Sequence, residues 1–184
     1  MTVKVERDTH AGEHQQRVAD LACAIAEKMG LAQEQIRAVR TAAVVHDIGK
    51  IYTPAEILNK PARLTKSEME MVQSHPQMGY DILDAVKSPS AVAQIVLQHH
   101  ERMDGSGYPQ GLPGQEILVG ARILGVADVV AAMASHRPYR PAHSLDEVLE
   151  EIAKNRGSLY DSDVVDACLK VFDERRLAPV LRDD

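Results

Sequence analysis

Ala42-Ala43-Val44-Val45-His46-Asp47-Ile48-Gly49-Lys50 closes an apolar run on a histidine beside an aspartate. A polar pair drawn into apolar surroundings is costly unless something compensates it. A metal ion is the compensation that would also give the other histidines of the chain a purpose. The run itself has helical spacing, with Ile36, Val39, Ala43 and Val44 on one face, and predicts a helix over about 33–47. Gly49 then loosens the helix end, and Pro54 begins a short turn.

Working outward towards the N-terminus, Val18, Leu21, Ala22, Ile25, Ala26 and Met29 predict a helix over about 11–29, stopped by Gly30. Residues 1–10 read as a polar segment or linker remnant, 11–176 as one domain and 177–184 as a tail. On the C-terminal side, Thr65 with Glu68 is a capping-box pattern opening a helix. That helix should end near Ser74, because Pro76 biases His75 away from the helical region. Met78, Ile82 and Leu83 give another short helix. One over about 89–102 carries Val92, Ile95, Val96 and Leu97, and ends on His99-His100-Glu101. After the turn-rich stretch 104–114, apolar spacing predicts helices over about 116–135, 145–156 (capped by Ser144 with Glu147) and 162–175. Strand alternation and internal repeats are both missing. The fold class is all-α.

Composition agrees. The 184 residues suit one domain, and a 45% apolar content with only 3% aromatics and no Trp calls for a core of close-packed aliphatic helices. A net charge of −6 argues against nucleic-acid polymers and anionic lipid as partners, so a phosphate-bearing ligand needs local cations or metal. Cys23 and Cys168 read as reduced core residues, and the expected location is cytoplasmic. No apolar run approaches the ~18 residues of a membrane span, and no signal-peptide pattern opens the chain.

Of the 8 histidines, His14, His46, His75, His99, His100 and His136 are read at ends or kinks of helices, where distant segments can converge. An aspartate can bridge two cations through its two oxygens, whereas the adjacent histidine serves one. Imidazoles with a few carboxylates suit Fe, Mn, Zn or Ni, not an all-oxygen Mg or Ca site. Paired cations also make water a strong nucleophile and neutralise phosphodiester oxygens. His143 reads as a surface residue. Glu101 either orients a histidine or is solvated.

His46-Asp47-Ile48-Gly49-Lys50, His75-Pro76-Gln77-Met78-Gly79, the string His99-His100-Glu101-Arg102-Met103-Asp104-Gly105-Ser106-Gly107-Tyr108-Pro109, Ala127-Asp128 and Arg137-Pro138-Tyr139-Arg140 resemble the HD-GYP family. This is a branch of the HD-domain metal-dependent phosphohydrolases. The resemblance implies an all-α HD bundle of about seven helices with a GYP loop. It also implies hydrolysis of cyclic di-GMP to pGpG, in some members onward to GMP, in bacterial second-messenger signalling. Carried across residue by residue, one metal takes His14, His46, Asp47 and Asp128. The second takes Asp47 as bridge with His75, His99 and His100. Asp47 and Lys50 become the catalytic residues, and Lys50, Gly107, Tyr108, Arg137 and Arg140 the substrate contacts. The metals are expected to be Fe or Mn, with Zn or Ni as alternatives. Expected partners are the cyclic dinucleotide, a GGDEF cyclase, an upstream sensor or receiver domain, and a second copy in a homodimer.

Two positions depart from the family pattern. Ala131 stands where ADxxDA places an acid associated with substrate contact. His10 stands where three-metal members carry Glu, so two metals are expected and a third is not. The alternatives to a cyclic di-GMP phosphodiesterase are a catalytically weak cyclic di-GMP sensor or GGDEF-interaction module, and a phosphodiesterase for another cyclic dinucleotide.

Overall fold

The computed structural model describes residues 9–135 and 143–174. Arg137 and Arg140, expected at the substrate, and His136 lie outside the described residues. Among those described, the chain is helical throughout, with no strand: α1 (Thr9–Lys28), α2 (Gln33–Val45), α3 (Ala55–Leu58), α4 (Lys66–Gln73), α5 (His75–Ala85), α6 (Ser90–Gln98), α7 (Val119–Ala134), α8 (Leu145–Lys154) and α9 (Ser162–Asp173). The all-α expectation holds. Single turns of 3-10 helix at Ile48–Tyr52 and Gly114–Glu116, together with the short α3, are elements that spacing alone did not resolve.

Helix α7 is the axis of the bundle. It is largely apolar, with Ile123, Leu124, Val126, Ala127, Val130 and Ala131 all buried, as befits a helix packed among others. Helix α1 packs on α2, α7 and α9, while α6 packs on α2, α5 and α7. Val18, Leu21 and Ile25 of α1 meet Val39 of α2 and Val96 of α6 in one continuous core. Each such side chain removed from water contributes roughly 1.5–3 kcal/mol. Small residues let the helices close on one another. A Cβ on Gly120 of α7 would sit 2.7 Å from Ile95 Cδ1.

Both capping boxes form. Thr65 Oγ1 accepts from the Glu68 N–H while the Thr65 N–H donates back to the Glu68 carboxylate, and Ser144 with Glu147 repeats the arrangement. The predicted end of α4 at Ser74 is also found, but its reason differs. His75 opens α5 at once and Pro76 occupies its first turn, where a missing N–H costs nothing. Two helices end earlier than their apolar spacing suggested. Helix α2 stops at Val45 with His46 as its cap, and α6 stops at Gln98 with His99 as its cap. No described helix is long and apolar enough to cross a membrane.

Candidate metal centre

The early ends of α2 and α6 expose backbone carbonyls that have no partner within the helix. A histidine at the cap can use its ring to satisfy one of them. His46 Nδ1 lies 2.6 Å from the Ala43 carbonyl, and His99 Nδ1 lies 2.6 Å from that of Val96. His75, at the junction of α4 and α5, does the same 2.8 Å from the Val72 carbonyl. A carbonyl only accepts, so each Nδ1 carries the proton and each Nε2 keeps its lone pair. One local device thereby fixes the tautomer and aim of all these rings.

The Nε2 atoms point at one another. His75 Nε2 and His99 Nε2 are 3.4 Å apart, and His46 Nε2 is buried with no hydrogen-bond partner among the described residues. Two facing lone pairs and an orphaned buried nitrogen are unfavourable by themselves, and a cation among them removes both penalties. His75, His99 and His100 form one group whose donor atoms lie within 4.8 Å of one another; His14, His46 and Asp128 form another. These residues therefore fit metal ions.

Asp47 stands between the groups. Its backbone leaves the helix at φ −93°, ψ 4°, as the cap of the 3-10 turn that follows. Oδ2 is 3.6 Å from His46 Nε2, and Oδ1 is 3.5 Å from His75 Nε2. One carboxylate thus offers an oxygen to each group. Its placement depends on Gly49, which lies against the first turn of α5. A Cβ on Gly49 would collide with the His75 carbonyl and come within 2.6 Å of the Gly79 amide nitrogen. The sequence had assigned Gly49 only the loosening of a helix end. Its role is close approach, and it seats the His46–Asp47 turn beside His75.

From α1, His14 brings Nε2 to 3.3 Å from Asp128 Oδ1, and His46 Nε2 is 3.8 Å from the same oxygen. His14 sits within the second turn of α1, not at a helix end or kink as its place in the sequence suggested. Lys50 Nζ donates to Asp47 Oδ2 at 2.7 Å. Burial opposes ionisation of Asp47, but neighbouring His46 and Lys50 outweigh it and hold the carboxyl below its ordinary range. Asp128 behaves likewise: burial is overcome by the His14 hydrogen bond and by His46, keeping it well below the usual carboxylate range. Burial pushes His75 and His100 down and His99 to about 3, so these rings are neutral ligands at neutral pH.

The loop after His100 folds back over it. Gly105 and Gly111 take left-handed φ values of 78° and 65°, and the Tyr108 ring stacks on His100 at 4.8 Å with planes 30° apart. Burial raises the Tyr108 hydroxyl to about 12. Gly107 presses on the backbone of His100–Arg102, where a Cβ would find no room. Of the two readings open for Glu101, orienting a histidine or being solvated, the solvated one fails. Glu101 is 5% exposed, neither solvated nor touching a histidine ring, and its carboxylate accepts the N–H groups of Gln110 and Leu112. A glutamate beside two histidines and ahead of a glycine-rich loop was the available signal. His143, as expected, is peripheral, 3.4 Å from Glu147. Ala131 is fully buried in the core and offers no group to a ligand.

The chain matches the family model described as "HD domain" over residues 5–164. It is 42% identical over 89% of its length to the cyclic di-GMP phosphodiesterase response regulator RpfG of Xanthomonas campestris, covering 44% of that protein. Identity to a cyclic di-GMP phosphodiesterase of Thermotoga maritima is 43% over 96% of the chain and 48% of the relative. The 3'3'-cGAMP-specific phosphodiesterase 1 of Vibrio cholerae is 41% identical over 86% of the chain and 37% of its own length. The chain thus spans less than half of each of these relatives. Among solved structures, the HDG"Y"P protein Bd1817 of Bdellovibrio bacteriovorus superposes with a TM-score of 0.73 at 18% identity, covering 89% of this chain and 52% of that one. That likeness establishes the fold, and the matched sequence with its His46-Asp47 and His99-to-Pro109 motifs establishes descent: the chain belongs to the HD domain family, in its HD-GYP branch.

Proposed function

We propose that this domain is a metal-dependent phosphodiesterase that opens cyclic di-GMP to the linear dinucleotide pGpG. The observation that carries the reading is Asp47, with one carboxylate oxygen facing each imidazole-rich group. His14, His46 and Asp128 would hold one ion and His75, His99 and His100 the other, with Asp47 shared. We take the ions to be Fe or Mn, with Zn or Ni as alternatives of the same ligand chemistry. When bound, the pair supplies an activated water and charge neutralisation at the scissile phosphate.

The chain's own residues do the rest. His46, His75 and His99 are held as Nδ1–H tautomers by their carbonyls, so their orientation needs no adjustment during reaction. Lys50 balances Asp47 and places a cation beside the site for a non-bridging phosphate oxygen. Tyr108 and the loop around Gly107 close one side of the histidine cluster, and we assign Arg137 and Arg140 to the substrate's phosphates and guanines. The domain is proposed to act in the cytoplasm, in keeping with its free buried cysteines Cys23 and Cys168. Its proposed partners are a GGDEF cyclase or a sensor or receiver domain, and a second copy.

A second substrate has support of equal kind, because a relative 41% identical is named for 3'3'-cGAMP. Ala131 adds to that reading, since the acid expected to contact guanine is replaced by a buried methyl group. The test is a side-by-side turnover assay of Mn- or Fe(II)-loaded protein with cyclic di-GMP and 3'3'-cGAMP, following linear dinucleotides and mononucleotides separately. Faster opening of cyclic di-GMP supports the first reading, and faster opening of 3'3'-cGAMP the second. No turnover of either, with metal bound, leaves the sensor role.

A further inference from the structure

Three of the clustered imidazoles are steered by carbonyls, but His100 makes no ring hydrogen bond among the described residues. Its ring is bounded by other rings: His99 at 4.0 Å, His75 at 5.0 Å and Tyr108 at 4.8 Å. Only Tyr108 among these is not itself a member of the histidine cluster. The position of Tyr108 is set by its loop. Its N–H donates to the His100 carbonyl at 3.3 Å, while Glu101 accepts from Gln110 N–H at 2.7 Å and Leu112 N–H at 3.0 Å. Each carboxylate oxygen takes one amide, and the buried clamp fixes the loop's register against the segment that carries His100.

We infer that Glu101 and Tyr108 are positioning residues for His100, with Glu101 pinning the loop and the Tyr108 ring serving as the stop against which the imidazole is aimed. The inference rests on the reading of His75, His99 and His100 as a metal-binding group. A carboxylate is required at position 101. An amide would turn an N–H towards one of the two backbone donors, releasing that end of the loop. Tyr108 needs its ring and not its hydroxyl.

Co(II) titration of the folded, metal-free protein, followed by visible absorption, tests this in two backgrounds. In His14→Ala protein, which keeps the His75–His99–His100 group, Glu101→Gln and Tyr108→Ala should each weaken Co(II) binding roughly 10- to 100-fold and alter the absorption band. Tyr108→Phe should leave it unchanged. In His75→Ala protein, which keeps the other group, Glu101→Gln should leave affinity within about twofold, showing that the loss is specific and not general loosening. Unchanged affinity in the His14→Ala background for both Glu101→Gln and Tyr108→Ala overturns the positioning role alone. A wild-type protein that takes up no Co(II) overturns the metal reading, and this inference with it.

Discussion

His75 and His99 face each other Nε2 to Nε2 across 3.4 Å, while both Nδ1 atoms are tied to backbone carbonyls. The carbonyls hold the protons on the far side of each ring, so two lone pairs meet. Neither ring can turn to relieve this without giving up its hydrogen bond. Helix ends that bury such a contact have built a receptor for a cation, and the metal-free fold bears an electrostatic cost that binding removes.

Metal should therefore raise stability markedly. An ion held at about 100 times its dissociation constant contributes ~2.7 kcal/mol. For a domain of this size that corresponds to a rise in Tm of roughly 5–10 °C. Scanning calorimetry of chelator-treated protein before and after Mn(II) addition checks it, and His99→Ala should lose much of the shift.

Acid should weaken the metal-free protein well above the carboxylate range. Burial holds His75, His99 and His100 below the ordinary 6.5, with His99 at about 3. Below 6.5 the unfolded chain binds protons that the folded one refuses, so stability is complete above that pH and declines as pH falls towards 3. Asp47 and Asp128, both depressed, add a loss of the same sign below 3.8. Urea denaturation at pH 7.5 and pH 5 should show a drop on the order of 1 kcal/mol or more per pH unit below 6.5.

Gly49→Ala should be far more harmful than a surface glycine change. Its Cβ meets backbone at His75 and Gly79, not a flexible side chain. The turn bearing His46 and Asp47 must then separate from α5. The expected loss is about 1–3 kcal/mol in urea denaturation, with weaker metal binding alongside.

Lys50→Met should separate chemistry from metal holding. Lys50 touches Asp47 but belongs to neither imidazole group. Turnover should fall by roughly two to three orders of magnitude, as when a single charge-stabilising donor is removed, while metal content per chain stays as in wild type.

The helices were largely legible because apolar spacing and capping boxes are local signals. Thr65–Glu68 and Ser144–Glu147 needed nothing beyond their own neighbours. Helix ends at His46 and His99 were overrun, because the rings that stop those helices do so through a side-chain bond to the carbonyl three residues back. The candidate ligands were named through family motifs, and the fold brings all of them together, yet no spacing could reveal that Asp47 aims one oxygen at each group. Glu101 was left between two readings because its partners, the amides of Gln110 and Leu112, belong to a loop whose path depends on positive-φ glycines. Gly49 was misread because its partner, the start of α5, is remote in sequence.

The most direct test of the account is elemental analysis of protein purified without chelator, comparing wild type with Asp47→Ala. A carboxylate shared by both groups predicts about two transition-metal ions per chain in wild type and about one or fewer in the variant, with helicity retained. Asp47→Ala protein that still holds about two ions per chain would contradict it.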